Sequence, residues 1–96
     1  MRKVLVVEDD RFISAIFTLF LKDLGYEIIG RCKTGRDAVE ECKGHEPDLV
    51  LMDIHLEGDV DGIDAADVIQ HECEVPVIFV SSDTSAAVIQ RAVITN

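Results

Sequence analysis

The chain has no surplus of positive charge: 9 Lys and Arg face 19 Asp and Glu, a formal net charge of −10 over 96 residues. Direct binding to nucleic acid or to an anionic membrane needs a basic footprint, so neither is expected. The sequence also lacks any apolar run near the roughly 20 residues that a membrane-spanning helix needs. Met1-Arg2-Lys3 and the short apolar run behind it do not make a signal peptide, so a cytoplasmic location is expected. Cys32, Cys42 and Cys73 are an odd set without CxxC spacing. They read as small buried hydrophobes in a reducing compartment, not as a disulfide or metal framework. His45, His55 and His71 show no HExxH or paired spacing, and Ser81-Ser82 has no GxSxG elbow. Glu57 to Gly62 superficially resembles a calcium loop, but that loop should start on Asp and carry a Glu at its twelfth position, where this chain has Val68. No linker or low-complexity stretch divides the chain, so it is one domain.

What is present is a series of short apolar runs, each ending in acids or hydroxyls. Val4-Leu5-Val6-Val7 ends in Glu8-Asp9-Asp10, and Leu49-Val50-Leu51-Met52 ends in Asp53. Val75-Pro76-Val77-Ile78-Phe79-Val80 ends in Ser81-Ser82-Asp83, and Ile28-Ile29 marks a weaker, edge-like run within Tyr26 to Arg31. Unbroken apolar runs of this length, bounded by turn residues, suit strands buried on both faces of a parallel sheet. Between them lie helical patterns. Asp10 can cap a helix whose Ile13, Ile16, Phe17, Phe20 and Leu24 recur at helical spacing as a core face, with Gly25 as its stop. Thr34-Gly35-Arg36-Asp37 resembles a capping box for a helix carrying Ala38, Val39 and Cys42 inward and ending at Gly44. A third helix is expected at about 62–73, with Ala66, Ile69 and Cys73 on one face, and a fourth after a Thr84 or Ser85 cap. The first strand is expected over 3–8.

Four βα repeats at this length predict a parallel sheet with right-handed crossovers and helices on both faces. The strand ends at Glu8-Asp9, Asp53 and Ser81 would then meet at the carboxyl edge, where open α/β sheets place their sites. Three carboxylates brought together raise one another's pKa unless a cation intervenes, and a hard divalent ion such as Mg²⁺ suits that donor set. A carboxylate nucleophile, Mg²⁺ and a neutral hydroxyl together suit phosphoryl transfer, where positioning and charge neutralisation supply most of the catalysis.

At these residues the chain resembles the receiver domain of two-component response regulators. The matching motifs are Val4 to Asp10, Pro47 to Asp53, Asp61-Gly62 and Pro76 to Ser81. The resemblance implies an α/β, flavodoxin-like doubly wound sheet of strand order 2-1-3-4. It also implies that Asp53 accepts a phosphoryl group from a sensor histidine kinase or phosphotransfer protein. Mg²⁺ would be held by Asp53, by Asp9 directly, by the backbone carbonyl of His55 and by Glu8 through water. Ser81 would bond the phosphoryl oxygen and act as the switch, and the side chains of His55 and Asp83 would tune hydrolysis of the acyl phosphate. An attached C-terminal output domain or a homodimer would carry the output.

The sequence also departs from that family. A fifth strand and helix, with the lysine and aromatic residue that the strand brings, do not occur in these 96 residues, and no Lys follows Lys43. Residues 1–96 are therefore expected to be a receiver domain cut before its fifth βα unit, a fragment of a longer chain. The loop between Asp53 and Asp61-Gly62 is one residue longer than usual and lacks the common proline. Two other readings stay open: a receiver-like docking module that is never phosphorylated, and a haloacid-dehalogenase-type aspartyl-phosphate phosphatase. The second would want an Asp where this chain has His55.

Overall fold

Strand β1 (Lys3–Val7) forms the middle of the molecule, and Val4, Leu5 and Val6 within it are completely buried. The structure, a computed structural model, describes residues 2–54, 56 and 61–80. Around β1 run α1 (Arg11–Asp23), β2 (Glu27–Cys32), α2 (Gly35–His45), β3 (Leu49–Asp53), α3 (Gly62–Val68) and β4 (Val77–Val80). All three strand pairings are parallel, in the order β2-β1-β3-β4. The parallel pairing is what the βα alternation predicts, and the order is the doubly wound one that the family resemblance implies. The expected fourth helix lies outside the described residues.

The pleat divides the apolar residues between two faces. Leu5, Val7, Val50, Met52 and Val77 join Ala38 and Cys42 of α2 and Ala65 and Ala66 of α3 in one core. Val4 and Val6 point the opposite way, to the side where α1 packs across β1 and β2. The amino ends of β1 and β3 are pinned by a reciprocal pair. The Lys3 amide donates to Asp48 Oδ2 at 2.8 Å, and the Asp48 amide donates to the Lys3 carbonyl at 2.8 Å. β2 carries a bulge: Val4 pairs with Ile28 but Leu5 pairs with Gly30, so Ile29 is skipped. An extra residue reverses which side chains face which layer. Beyond it Cys32 enters the core while Arg31 reaches α1.

Local chemistry explains the helix starts. The Asp10 carboxylate accepts from the Phe12 and Ile13 amides at 2.9 and 3.1 Å, and Thr34 Oγ1 accepts from the Asp37 amide at 3.1 Å. These satisfy donors that a helix N-terminus leaves open. Several ends and faces differ from expectation. β1 stops at Val7, although the Glu8 amide still donates to the Cys32 carbonyl at 2.9 Å. α2 runs through Gly44 to His45 and is closed by Glu46 in the left-handed region, φ 46°. Beyond Val68 the third helix continues as a π-helical segment, Ile69–Cys73, closed by Glu74 at φ 57°. Both glutamates occupy a position that usually favours glycine, which is why the glycine signal misled at Gly44.

The largest difference lies in α1. Ile13 and Ile16 are about two-fifths exposed, and Phe20 and Leu24 are 66% and 72% exposed, so the expected stripe is not a core face. Of the expected residues only Phe17 lies on the sheet-facing side, half-buried with Thr18 and Leu21 beside buried Ser14. Periodicity identifies residues that share a face, not what covers that face. Among the described residues, α1 is the single helix on its side of the sheet. The β3 run is likewise less enclosed than expected: Val50 and Met52 are fully buried, while Leu49 and Leu51 on the α1 side are half-buried.

This contrast predicts that Leu5→Ala lowers stability by roughly 2–5 kcal/mol in denaturant unfolding, through lost transfer energy and a cavity. Leu19→Ala, at a side chain 67% exposed, should change it by less than about 0.5 kcal/mol. Equal losses would mean that the outer stripe of α1 is packed.

Candidate functional site

Two neighbouring strands, β1 and β3, run out at the same edge of the sheet. Val7 pairs with Met52, so the next residues on each strand, Glu8 and Asp53, leave the ladder side by side. Carboxylate oxygens of Glu8, Asp9 and Asp53 all lie within 4.8 Å of one another. Glu8 is buried, and Asp9 and Asp53 are half-buried. They line a cleft of about 420 Å³ whose other walls are Asp10, Ile13 and Phe17 of α1 and Val80 at the end of β4. Asp10 sits in the cleft wall, but one oxygen is committed to the α1 cap.

Burial pushes the Glu8 carboxyl up to about 7, with Asp9 and Asp53 beside it adding to the rise. The Asp10 amide, which donates to Glu8 Oε2 at 3.1 Å, pulls the other way. A buried carboxyl between two others keeps its proton because a third negative charge there is costly. The donor set fits a hard divalent cation: all oxygen, clustered, and electrostatically unfavourable without a counter-charge. Glu8, Asp9 and Asp53 are the residues that would hold it. No further cluster of this kind occurs among the described residues.

A glycine fixes the far side of Asp53. The Gly62 amide donates to the Ile54 carbonyl at 2.8 Å, and a Cβ built on Gly62 would lie 2.0 Å from the Asp53 carbonyl oxygen. Only a residue without a side chain lets the start of α3 press against the end of β3. Asp61 caps that helix by accepting from the Asp64 amide at 2.9 Å. The sequence showed Asp61-Gly62 as a motif. Its steric role depends on a contact between segments that no local pattern encodes.

Glu8, Asp9 and Asp53 are thus brought together. His55, Ser81 and Asp83 lie outside the described residues. The cysteines carry no disulfide, and burial, aided by nearby Glu41 and other groups, pushes the Cys32 and Cys42 thiols up to about 12. Protonated thiols are poor nucleophiles and ligands, in keeping with a packing role. His45 and His71 lie on the surface against Glu41 at 3.3 Å and Asp67 at 3.1 Å, each one helical turn away.

Comparison with known proteins adds to this geometry. A family profile described as the response regulator receiver domain matches residues 4–96. The transcriptional regulatory protein PdtaR of Mycobacterium tuberculosis (strain ATCC 25618 / H37Rv) is 36% identical over 91 residues, covering 95% of this chain and 44% of that protein. A protein-glutamate methylesterase/protein-glutamine glutaminase of Lawsonia intracellularis is 40% identical over 85 residues, covering 88% of this chain and 24% of its own length. The chain therefore spans less than half the length of these curated relatives. Among solved structures, the signal receiver domain of a modulated diguanylate cyclase from Desulfovibrio desulfuricans G20 superposes with a TM-score of 0.94 at 35% identity. That match covers 100% of this chain and 76% of the solved one.

Two outcomes follow from the site. Gly62→Ala must displace the β3 end or the start of α3, and should cost roughly 1–3 kcal/mol in denaturant unfolding. An unchanged midpoint would show that the contact is not close. For Glu8, the folded-state value of about 7 lies above the ordinary 4.5, so the folded chain binds more protons between those limits. Its contribution to stability is full below about 4.5 and is lost as pH rises through about 7. In metal-free buffer, Glu8→Gln should flatten that fall and make the chain more stable than its parent above about pH 7. Parallel pH profiles for the two proteins would contradict it.

Proposed function

Because the chain belongs to the response regulator receiver domain family, a family of signalling modules, we propose that it accepts a phosphoryl group on Asp53 in a Mg²⁺-dependent phosphorelay. The observation that carries this reading is the meeting of Glu8, Asp9 and Asp53 within 4.8 Å at the ends of adjacent strands. In the transfer, a carboxylate oxygen of Asp53 forms a bond to phosphorus. The P–N bond of a phosphohistidine donor breaks, and its electron pair stays on the imidazole, which then takes a proton. Asp9 and Asp53, with Glu8 through water, would hold Mg²⁺, which when bound would neutralise the carboxylates and the phosphoryl oxygens. Val80 ends β4 beside this cleft, so the Ser81 hydroxyl that follows it is our candidate for binding the transferred group. His55 contributes its backbone carbonyl to the ion, and the side chains of His55 and Asp83 tune the lifetime of the acyl phosphate.

In this reading the chain is a signalling domain and not an enzyme acting on external substrates. Its partners are a sensor histidine kinase or phosphotransfer protein and an output unit. The names of the relatives, a transcriptional regulatory protein, a methylesterase and a diguanylate cyclase, indicate that one receiver type serves several outputs. Among the described residues no helix is long and apolar enough to cross a membrane, and we place the module in the cytoplasm.

Acetyl phosphate with Mg²⁺ should leave one acid-labile phosphoryl group on the chain, seen by intact-protein mass spectrometry. Asp53→Asn or removal of Mg²⁺ with a chelator should reduce it at least about a hundredfold. Rapid turnover of many phosphate esters would support the phosphatase reading instead, and no label with folded, Mg²⁺-loaded protein would support the docking module.

A further inference from the structure

The chain is strongly acidic, yet three of its 9 Lys and Arg gather around a single cleft on the β2 side of the acid cluster. This cleft, of about 300 Å³, is lined by Glu8, Arg11, Ser14, Arg31, Cys32 and Lys33. Among the described residues, none of the three cations is paired with a carboxylate. Arg31 is held in place by neutral acceptors. Its Nε donates to Ser14 Oγ at 2.9 Å, and its Nη2 donates to the Arg11 carbonyl at 3.3 Å. Ser14 is 3% exposed, so the guanidinium is anchored on a rigid point of α1. A guanidinium has five N–H donors in a fixed fork, so an Arg held by two of them retains others for a ligand.

The single carboxylate in the lining, Glu8, is engaged by the Asp10 amide and turned toward Asp9 and Asp53. Three like charges about one small cleft repel, and an anion between them relieves that repulsion. The β2 bulge is what brings Arg31 to the cleft, since skipping Ile29 sets it toward α1 while Cys32 enters the core. We propose that this cleft is an anion subsite for a small phosphate-class oxyanion, distinct from the phosphoacceptor pocket with which it shares only Glu8. A tetrahedral oxyanion matches the forked donors of an anchored Arg flanked by two further cations. The acceptor pocket, by contrast, is lined by Asp9, Asp10 and Asp53 and repels such an anion when no metal is present.

Inorganic phosphate titrated into the Mg²⁺-free chain, followed by ¹H–¹⁵N NMR at matched ionic strength in NaCl, tests this. The expected result is saturable shifts at the Arg31 Nε–H and at the Lys33 amide. Arg31→Gln and Lys33→Gln should each weaken binding roughly tenfold, while Asp53→Asn leaves it unchanged. Should Arg31→Gln unfold the chain, Lys33→Gln, at an exposed side chain, decides alone. Parallel titration with acetyl phosphate separates the sources: tighter binding of phosphate assigns the free anion, tighter binding of acetyl phosphate assigns a small phosphodonor. Shifts that track ionic strength alone, binding indifferent to both substitutions, or binding abolished by Asp53→Asn would overturn the subsite. None of these depends on whether Asp53 is phosphorylated.

Discussion

Three carboxylates at one edge of the sheet repel one another, and the rest of the structure holds them there regardless. Left to themselves, Glu8, Asp9 and Asp53 would separate into water. They cannot, because the residues just before Glu8 and Asp53 are locked into a buried parallel ladder in which Val7 pairs with Met52. The fold stores that repulsion as a proton on Glu8, which burial and its acidic neighbours keep bound up to about pH 7. Such an arrangement would suit the proposed binding of a cation and then a phosphoryl group: the cost of crowding the charges is met by folding, before any ligand arrives.

Precision at the site comes from small residues and caps more than from the acids themselves. Asp10 lines the same cleft, but it commits one carboxylate oxygen to capping α1 and stands outside the cluster of Glu8, Asp9 and Asp53. Gly62 lets α3 begin against the Asp53 carbonyl, and Asp61 caps the helix it opens. The Lys3–Asp48 pair holds β1 and β3 in register at their other ends. Such supports confine the Asp53 side chain better than a loop would, because each is part of a packed element.

The parallel sheet and the meeting of the two strand ends were legible because short apolar runs ending in acids carry both fold and site in the same few residues, whereas the strand order followed from the family resemblance. The caps at Asp10 and Thr34 follow from local chemistry and were equally readable, while the cap at Asp61 emerged only with the structure. What local pattern could not show was contact between distant segments. The α1 stripe of Ile13, Ile16, Phe17, Phe20 and Leu24 reads as core by spacing, yet of these only Phe17 lies with buried Ser14 on the side toward the sheet. The pressure of Gly62 on Asp53, and the Ile29 bulge that turns Arg31 toward α1, likewise depend on how segments meet in the fold and not on local pattern.

If crowded charge is the organising constraint, then a cation entering the cluster must displace the proton held by Glu8. Mg²⁺ binding measured by calorimetry near pH 6, in buffers of differing ionisation enthalpy, counts that proton directly. The account predicts release of about one proton for each Mg²⁺ bound. Binding of Mg²⁺ that moves no proton would contradict it, because the three carboxylates would then not share one electrostatic site.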